Sequence, residues 1–332
     1  MTRVGKGTSV AWAPPGVSDR REDFAAYFCE ALRAHAVPAD AEKGCRDWLR
    51  LPAAHGPAAA REATTPPFAK PARPRPIVII PGMFGECVAP WTTPFADAHT
   101  LLRERGHSIH LIDVEGRSSS SRNGRSIDAW MGEHAAELDG AIVIAYSKGA
   151  TDYMHAAVLD ANERRWLPRV AALVTIAGVI NGTPLASRWA ERLEKLLSRI
   201  HVPTCGAGDG GGVDSQSYPE ARMARDAYLA MERLPATFAV VAVTDEASVN
   251  PLLALFHRQL ANTDARNDGQ VLIEDALLPG SQLVATARAD HWSIALPFET
   301  SGRAMRLLAG NNHFPRVALV VALLEFIAAN ET

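Results

Sequence analysis

The chain has 332 residues, 47% of them hydrophobic and 21% charged, a globular balance that excludes wholesale disorder. Its length is enough to bury a large core, in one domain or two. A formal net charge of −3, from 34 Lys and Arg against 37 Asp and Glu, gives no electrostatic case for binding nucleic acid or an anionic membrane surface.

Arg3 and Lys6 lie near the start without a following apolar stretch, so no secretory signal peptide is read and a cytoplasmic location is expected. Asp19 and Glu22 have capping-box spacing and open a predicted helix to about Ala34, with Phe24, Tyr27, Phe28 and Leu32 at helical intervals. A second short helix is predicted over Ala41 to Leu51. Ala53 to Pro76 is rich in Ala and Pro and reads as a semi-rigid connector. Residues 1–52 are therefore expected to be a helical N-terminal extension, 53–76 a linker, and 77–332 the main domain. Cys29, Cys45, Cys87 and Cys205 are widely spaced with no C-x-x-C, so neither a zinc site nor a disulfide framework is suggested, and buried reduced thiols are expected.

From Ile77 onward strands and helices alternate. Strands are predicted at Ile77 to Ile80, Ser108 to Asp113, Ala141 to Ala145, Val170 to Ile176, Phe238 to Val243 and Leu283 to Ala287. Helices are predicted at Pro94 to Arg105, Ser126 to Leu138, Lys148 to Leu159 and Pro315 to Ala329, with the polar run R-S-S-S-S-R-N-G-R as a loop. This order predicts a mostly parallel sheet covered by helices on both faces. Val317 to Ala329 is interrupted by Glu325 and too short to span a bilayer. Residues 180–235 exceed an ordinary crossover and are expected to form a helical cap or lid. They include an amphipathic pattern (Leu185, Trp189, Leu193, Leu196, Leu197, Ile200), the run G-A-G-D-G-G-G at 206–212, read as a hinge, and a helix around Pro219 to Leu234.

The run A-I-V-I-A-Y-S-K-G-A-T-D, Ala141 to Asp152, is a strand ending abruptly at Ser147 with a helix directly after it, and small residues Ala145 and Gly149 two positions either side. That is the pattern of a nucleophile elbow with Ala in the first glycine position. A serine hydroxyl needs a base, and the base an orienting acid. His291, in A-D-H-W-S after the last strand, has the position of the base; His313, at the entrance of the closing helix, reads as a packing residue. For the acid, Asp268 in N-D-G-Q-V is favoured, with Asp245 and Glu246 at a strand end as the alternative. An oxyanion requires two N–H donors. The main-chain N–H of Lys148 is one, and I-I-P-G-M-F-G-E offers the N–H of Met83, with Phe84 as runner-up. The side chains of Met83 and Phe84 are candidates to line an apolar pocket, and the Lys148 amine is given no chemical role.

Four segments in order resemble the α/β-hydrolase superfamily, in its bacterial lipase and esterase branch. I-I-P-G-M-F-G is similar to the H-G-x-x-G oxyanion loop, with Pro81 where His is usual. A-Y-S-K-G resembles the elbow, A-G-V-I-N-G-T-P-L-A-S the P-H-x-G-[ST] segment after the sixth strand with Val179 and Ile180 in place of Pro-His, and N-D-G-Q-V the acid motif. The resemblance covers residues 77–330. It implies an α/β-hydrolase fold with a cap and a serine hydrolase acting on carboxylic esters through Ser147, His291 and Asp268, with no metal or organic cofactor. The implied partner is a small-molecule ester or acyl compound; a homo-oligomer is left open. A thioesterase, polyester depolymerase or acyltransferase would use the same residues, and a non-catalytic binding protein of the same fold is the alternative of another class.

Overall fold

The computed structural model describes residues 14–35, 44–52, 73–186, 206, 208–300 and 313–331. A seven-stranded, wholly parallel sheet organises them, in the order β1-β7-β6-β5-β4-β2-β3. The strands are β1 (Ser18–Asp19), β2 (Ile77–Ile80), β3 (Ile109–Leu111), β4 (Ala141–Tyr146), β5 (Val170–Ile176), β6 (Ala236–Ala242) and β7 (Gln282–Ala287). The helices are α1 (Arg21–His35), α2 (Gly85–Val88), α3 (His99–Glu104), α4 (Ser120–Glu133), α5 (Gly149–Asp160), α6 (Tyr218–Leu229), α7 (Ala254–Ala261) and α8 (Arg316–Ala329).

The central strands read as unbroken apolar runs because both faces are covered. Ile77, Ile79, Ile142, Ile144 and Val174 point to one side, where Phe24 and Phe28 of α1, Leu102 of α3 and the apolar residues of α8 pack. Val78, Ile80, Val143 and Ala145 point to the other, against Ile127 and Met131 of α4, Tyr153 and Met154 of α5 and Tyr228 of α6. The period of two along each strand thus divides one apolar sequence between two cores. Among the described residues no helix is long and apolar enough to cross a membrane.

The largest departure from expectation lies in the first fifty residues. Their described part, 14–35 and 44–50, is not an appendage. β1 pairs in parallel with β7 through Ser18↔Gln282 and Asp19↔Leu283. Leu49 makes an antiparallel bridge to Ala287 at the other end of the same edge, so two short segments cover the outer side of β7, which would otherwise offer unpaired backbone. Phe24 and Phe28 are fully buried. The second predicted helix is a 3₁₀ turn, Cys45–Trp48, and residues 36–43 fall outside the described ones.

Cys29 and Cys45 form a disulfide, with Cα atoms 5.1 Å apart, and Cys87 is also disulfide-bonded. The expectation of reduced thiols is thereby corrected: wide sequence spacing carries no information on Cα separation, which decides pairing. Closing a span of 16 residues restricts the unfolded chain, so the double variant Cys29→Ser/Cys45→Ser is expected to lose about 3 kcal/mol. A urea midpoint unchanged from the parent would refute this.

Two smaller corrections concern the crossovers. α4 starts within the serine run taken for a loop, because the Ser119 hydroxyl caps it by accepting from Arg122 N–H. The glycine run is docked, not a hinge, over its described part. Asp209 Oδ1 accepts from Ser119 N–H at 2.7 Å and Gly211 N–H at 2.9 Å, and Gly212 N–H donates to the Arg117 carbonyl at 3.0 Å. A Cβ on Gly212 would lie 2.7 Å from that same oxygen, so the glycine permits close approach of two backbones. Of the expected cap, residues 187–205 and 207 lie outside the described residues, and with them the amphipathic pattern beyond Leu185, which is buried; α6 is shorter than predicted, and α7 was not predicted.

Candidate active site

β4 delivers Ser147 to the carboxyl edge of the sheet, where ligands of open parallel sheets bind. Ser147 has φ of 56°, a left-handed conformation costly for a residue with a Cβ. The surroundings impose it. Ser147 N–H donates to the Ile176 carbonyl at 3.1 Å, while its own carbonyl accepts from Ala150 N–H at 3.1 Å and Val179 N–H at 3.0 Å. The turn into α5 is tight because Gly149 lies against the end of β2: a Cβ there would meet the carbonyl oxygens of Ile80 and Pro81 at 2.6 Å. Gly82 approaches from the next loop, and a Cβ on it would lie 2.6 Å from Ser147 Cβ. The small residues flanking the serine are therefore a steric requirement.

His291 reaches this serine from the loop after β7. Its Nε2 lies 2.7 Å from Ser147 Oγ and its Nδ1 2.7 Å from Asp268 Oδ2, and all three residues are buried. The carboxylate is fixed independently, since Asp268 Oδ1 accepts from Gln270 N–H at 2.8 Å and Val271 N–H at 2.7 Å. Main chain repeats the link, with His291 N–H donating to the Asp268 carbonyl at 2.9 Å. The structure does not bring Asp245 here. Its side chain is 72% exposed and pairs with Arg50 at 2.9 Å; Glu246, also exposed, pairs with Arg258. His313 packs edge-on against Trp48 and lies 3.0 Å from Glu299.

The loop after β2 carries the oxyanion candidates. Gly85 N–H donates to Gly82 O, and Cys87 N–H to Phe84 O. Neither the Met83 N–H nor the Lys148 N–H has a hydrogen-bond partner among the described residues, and α5 points its positive N-terminal end at the same place. Met83 is half-buried, its sulfur 3.7 Å from Gln216 Nε2. Phe84, at φ 62°, starts α2 and lies under the Arg117 guanidinium. Glu86 braces this loop by accepting from Gly116 N–H at 2.8 Å, and burial pushes its carboxyl above the usual range.

Several supporting residues escaped the sequence reading. Asp290, beside the histidine, accepts from the N–H groups of Asn250 (2.8 Å), Trp292 (3.1 Å) and Ser293 (2.8 Å), folding the His291 loop. Its signal was the local D-x-W-S turn chemistry. Asp275 anchors the segment after β5: its carbonyl accepts from Ile180 and Asn181 N–H. Burial raises its carboxyl to about 6 against the opposing hydrogen bond from Tyr218. Behind the elbow, Lys148 Nζ lies 2.7 and 3.0 Å from the Asp152 oxygens, and Asn123 Nδ2 donates to Asp152 at 2.8 Å. Lys148 is 0% and Asp152 1% exposed.

That pair carries a stability prediction. Lys148→Met strands a buried carboxylate and is expected to cost about 3–5 kcal/mol, most of it recovered when Asp152→Leu is added. Activity per folded molecule should persist, because the main-chain N–H survives. Urea melts paired with activity titration check both halves; a loss of activity without loss of stability would assign the amine a chemical role.

No protein-family model matches the chain, and the comparison with curated proteins finds no match. Solved structures do match. A metagenomic carboxyl esterase superposes with a TM-score of 0.80 at 27% identity, over 99% of this chain and 97% of that one. A mature-form lipase of Bacillus licheniformis gives 0.51 at 22% over 68% and 87%, and lipase 1 from Pelosinus fermentans 0.56 at 14% over 78% and 99%; these two speak for the fold alone. The sheet, the elbow and the likeness to the esterase define the class: the chain is a member of the α/β-hydrolase superfamily. Within it, a structure that it resembles over 99% of its length is that of a carboxyl esterase.

Proposed function

We propose that the chain is a serine hydrolase that cleaves carboxylic esters with an apolar acyl group. The observation that carries this reading is the continuous line Asp268–His291–Ser147, with 2.7 Å at both links. His291 Nε2 removes the proton as Ser147 Oγ attacks the ester carbonyl. The oxyanion is held by the N–H groups of Met83 and Lys148, and the protonated imidazole then delivers its proton to the departing alcohol. Water, activated by the same nitrogen, releases the acid and restores Ser147. Asp268 keeps Nδ1 protonated and stabilises the imidazolium. Met83 and Phe84 supply apolar surface beside the donors. The residues required are all in the chain, and no step calls for a metal or organic cofactor.

Disulfide-bonded cysteines favour an oxidising compartment over the cytoplasmic setting expected from the N-terminal sequence.

Covalent labelling by a fluorophosphonate tests the reading. The parent protein is expected to take up one label per chain on Ser147, and Ser147→Ala none. A parent that neither labels nor hydrolyses p-nitrophenyl esters would sink it.

A further inference from the structure

His291 and Ser147 come from strands that are not neighbours. β7 and β4 are separated by β6 and β5, three strand spacings or roughly 14 Å, so the histidine loop must be held across the top of the sheet. Asp268 holds it from the β6 side, through both its carboxylate and its carbonyl. From the β4 side there are two bonds to His291 among the described residues. One is the reacting contact of Ser147 Oγ with Nε2. The other is the hydroxyl of Tyr146, which donates to the His291 carbonyl at 2.7 Å, wholly buried, with the phenol ring 5.4 Å from the imidazole.

These two bonds differ in when they exist. Ser147 donates to His291 only while its oxygen carries a proton. Once Oγ is acylated it has none to give, and the imidazole loses that tether. The Tyr146 bond involves no reacting atom and persists throughout. Burial and the carboxylates of Asp268 and Asp290 push the phenol well above its ordinary range, so the hydroxyl remains a donor.

We infer that Tyr146 is a positioning residue that holds His291 over the acyl-enzyme, and that its hydroxyl serves deacylation more than acylation. The inference rests on the serine-hydrolase reading above. In the step concerned, a water oxygen bonds to the acyl carbon while its proton passes to Nε2. The tetrahedral adduct then collapses, the bond from acyl carbon to Oγ breaks, and the proton moves from Nε2 to Oγ. The imidazole must therefore face a water without help from the serine hydroxyl, and Tyr146 keeps its main chain in register.

The prediction has a kinetic form. For an acyl-enzyme pathway kcat/KM contains binding and acylation only, whereas kcat and KM both contain deacylation. Tyr146→Phe, which preserves the ring and removes one oxygen, is expected to lower kcat and KM for p-nitrophenyl acetate together, by about tenfold. It should leave kcat/KM close to that of the parent, with a stopped-flow burst approaching one p-nitrophenolate per site. Fluorophosphonate titration supplies the number of competent sites, so partial misfolding is divided out. An unchanged kcat, or a fall of kcat/KM in step with kcat, would overturn the inference and make the hydroxyl a structural bond. If the parent itself forms no acyl-enzyme, the serine-hydrolase reading fails and this inference with it, an outcome distinct from a parent that turns over and a variant that does not respond.

Discussion

Ser147→Ala and His291→Ala are each expected to lower kcat for a p-nitrophenyl ester by about 10⁴–10⁶, and the double variant to lower it no further than the worse single change. The reason is that Oγ and Nε2, 2.7 Å apart, act as one device. A neutral hydroxyl without a base is a weak nucleophile, and a base without the hydroxyl has nothing to activate except water. KM should rise toward the dissociation constant of the ester, since the acylation that holds it lower is lost, while neither side chain supplies the apolar contacts or the two N–H donors. The residual rate above the uncatalysed reaction then measures what those donors and the binding of substrate contribute. Steady-state kinetics on the three variants check it. Losses that multiply in the double variant would mean that serine and histidine act in separate steps, and the proposed mechanism would not stand.

Much of this site was legible because its parts are local in sequence. A-Y-S-K-G is a steric pattern: Ala145 is fully buried within β4, and a Cβ on Gly149 would meet two carbonyl oxygens, so the small residues declare a close crossing in the sequence itself. N-D-G-Q-V is equally local, since Asp268 takes its main-chain partners from Gln270 and Val271. The strands β2, β4 and β5 announce themselves by apolar runs buried on both faces. What escaped depends on distant partners. β1 is two residues long and owes its existence to an edge of β7 far along the chain, so no propensity within Ser18–Asp19 could signal it. The apolar stripe of α1 was read correctly, but that it packs on α8 and the sheet, through Phe24 and Phe28, was not. The disulfide, the docking of Gly212 on Arg117 and the bond from Tyr146 to His291 are likewise facts of assembled geometry. A polar serine run became the start of α4 because Ser119 caps it, a role that the composition of the run conceals.

Asp268→Asn is expected to lower kcat by about 10⁴, and Asp245→Ala to leave it within about twofold, as for an exposed ion pair. The first figure follows from how the carboxylate is held. Oδ1 is fixed as an acceptor by the N–H groups of Gln270 and Val271. In an asparagine the carbonyl oxygen must keep that place, which turns the amide NH₂ toward His291 Nδ1. Two donors cannot face each other, so the imidazole places its proton on Nε2 and presents a lone pair to the amide. Nε2 then meets the Ser147 hydroxyl already protonated and cannot accept its proton. Folding should be nearly undisturbed, because the side chain keeps its volume and both main-chain bonds, so thermal unfolding close to that of the parent would accompany the loss. Asp245 has no comparable position: its carboxylate is mostly exposed and its partner is Arg50. Kinetics on the two variants, at a pH where the parent is fully active, decide between the carboxylates. Near-parent activity in Asp268→Asn together with a large loss in Asp245→Ala would reverse the assignment, and would require the histidine loop to adopt a different arrangement in the working enzyme.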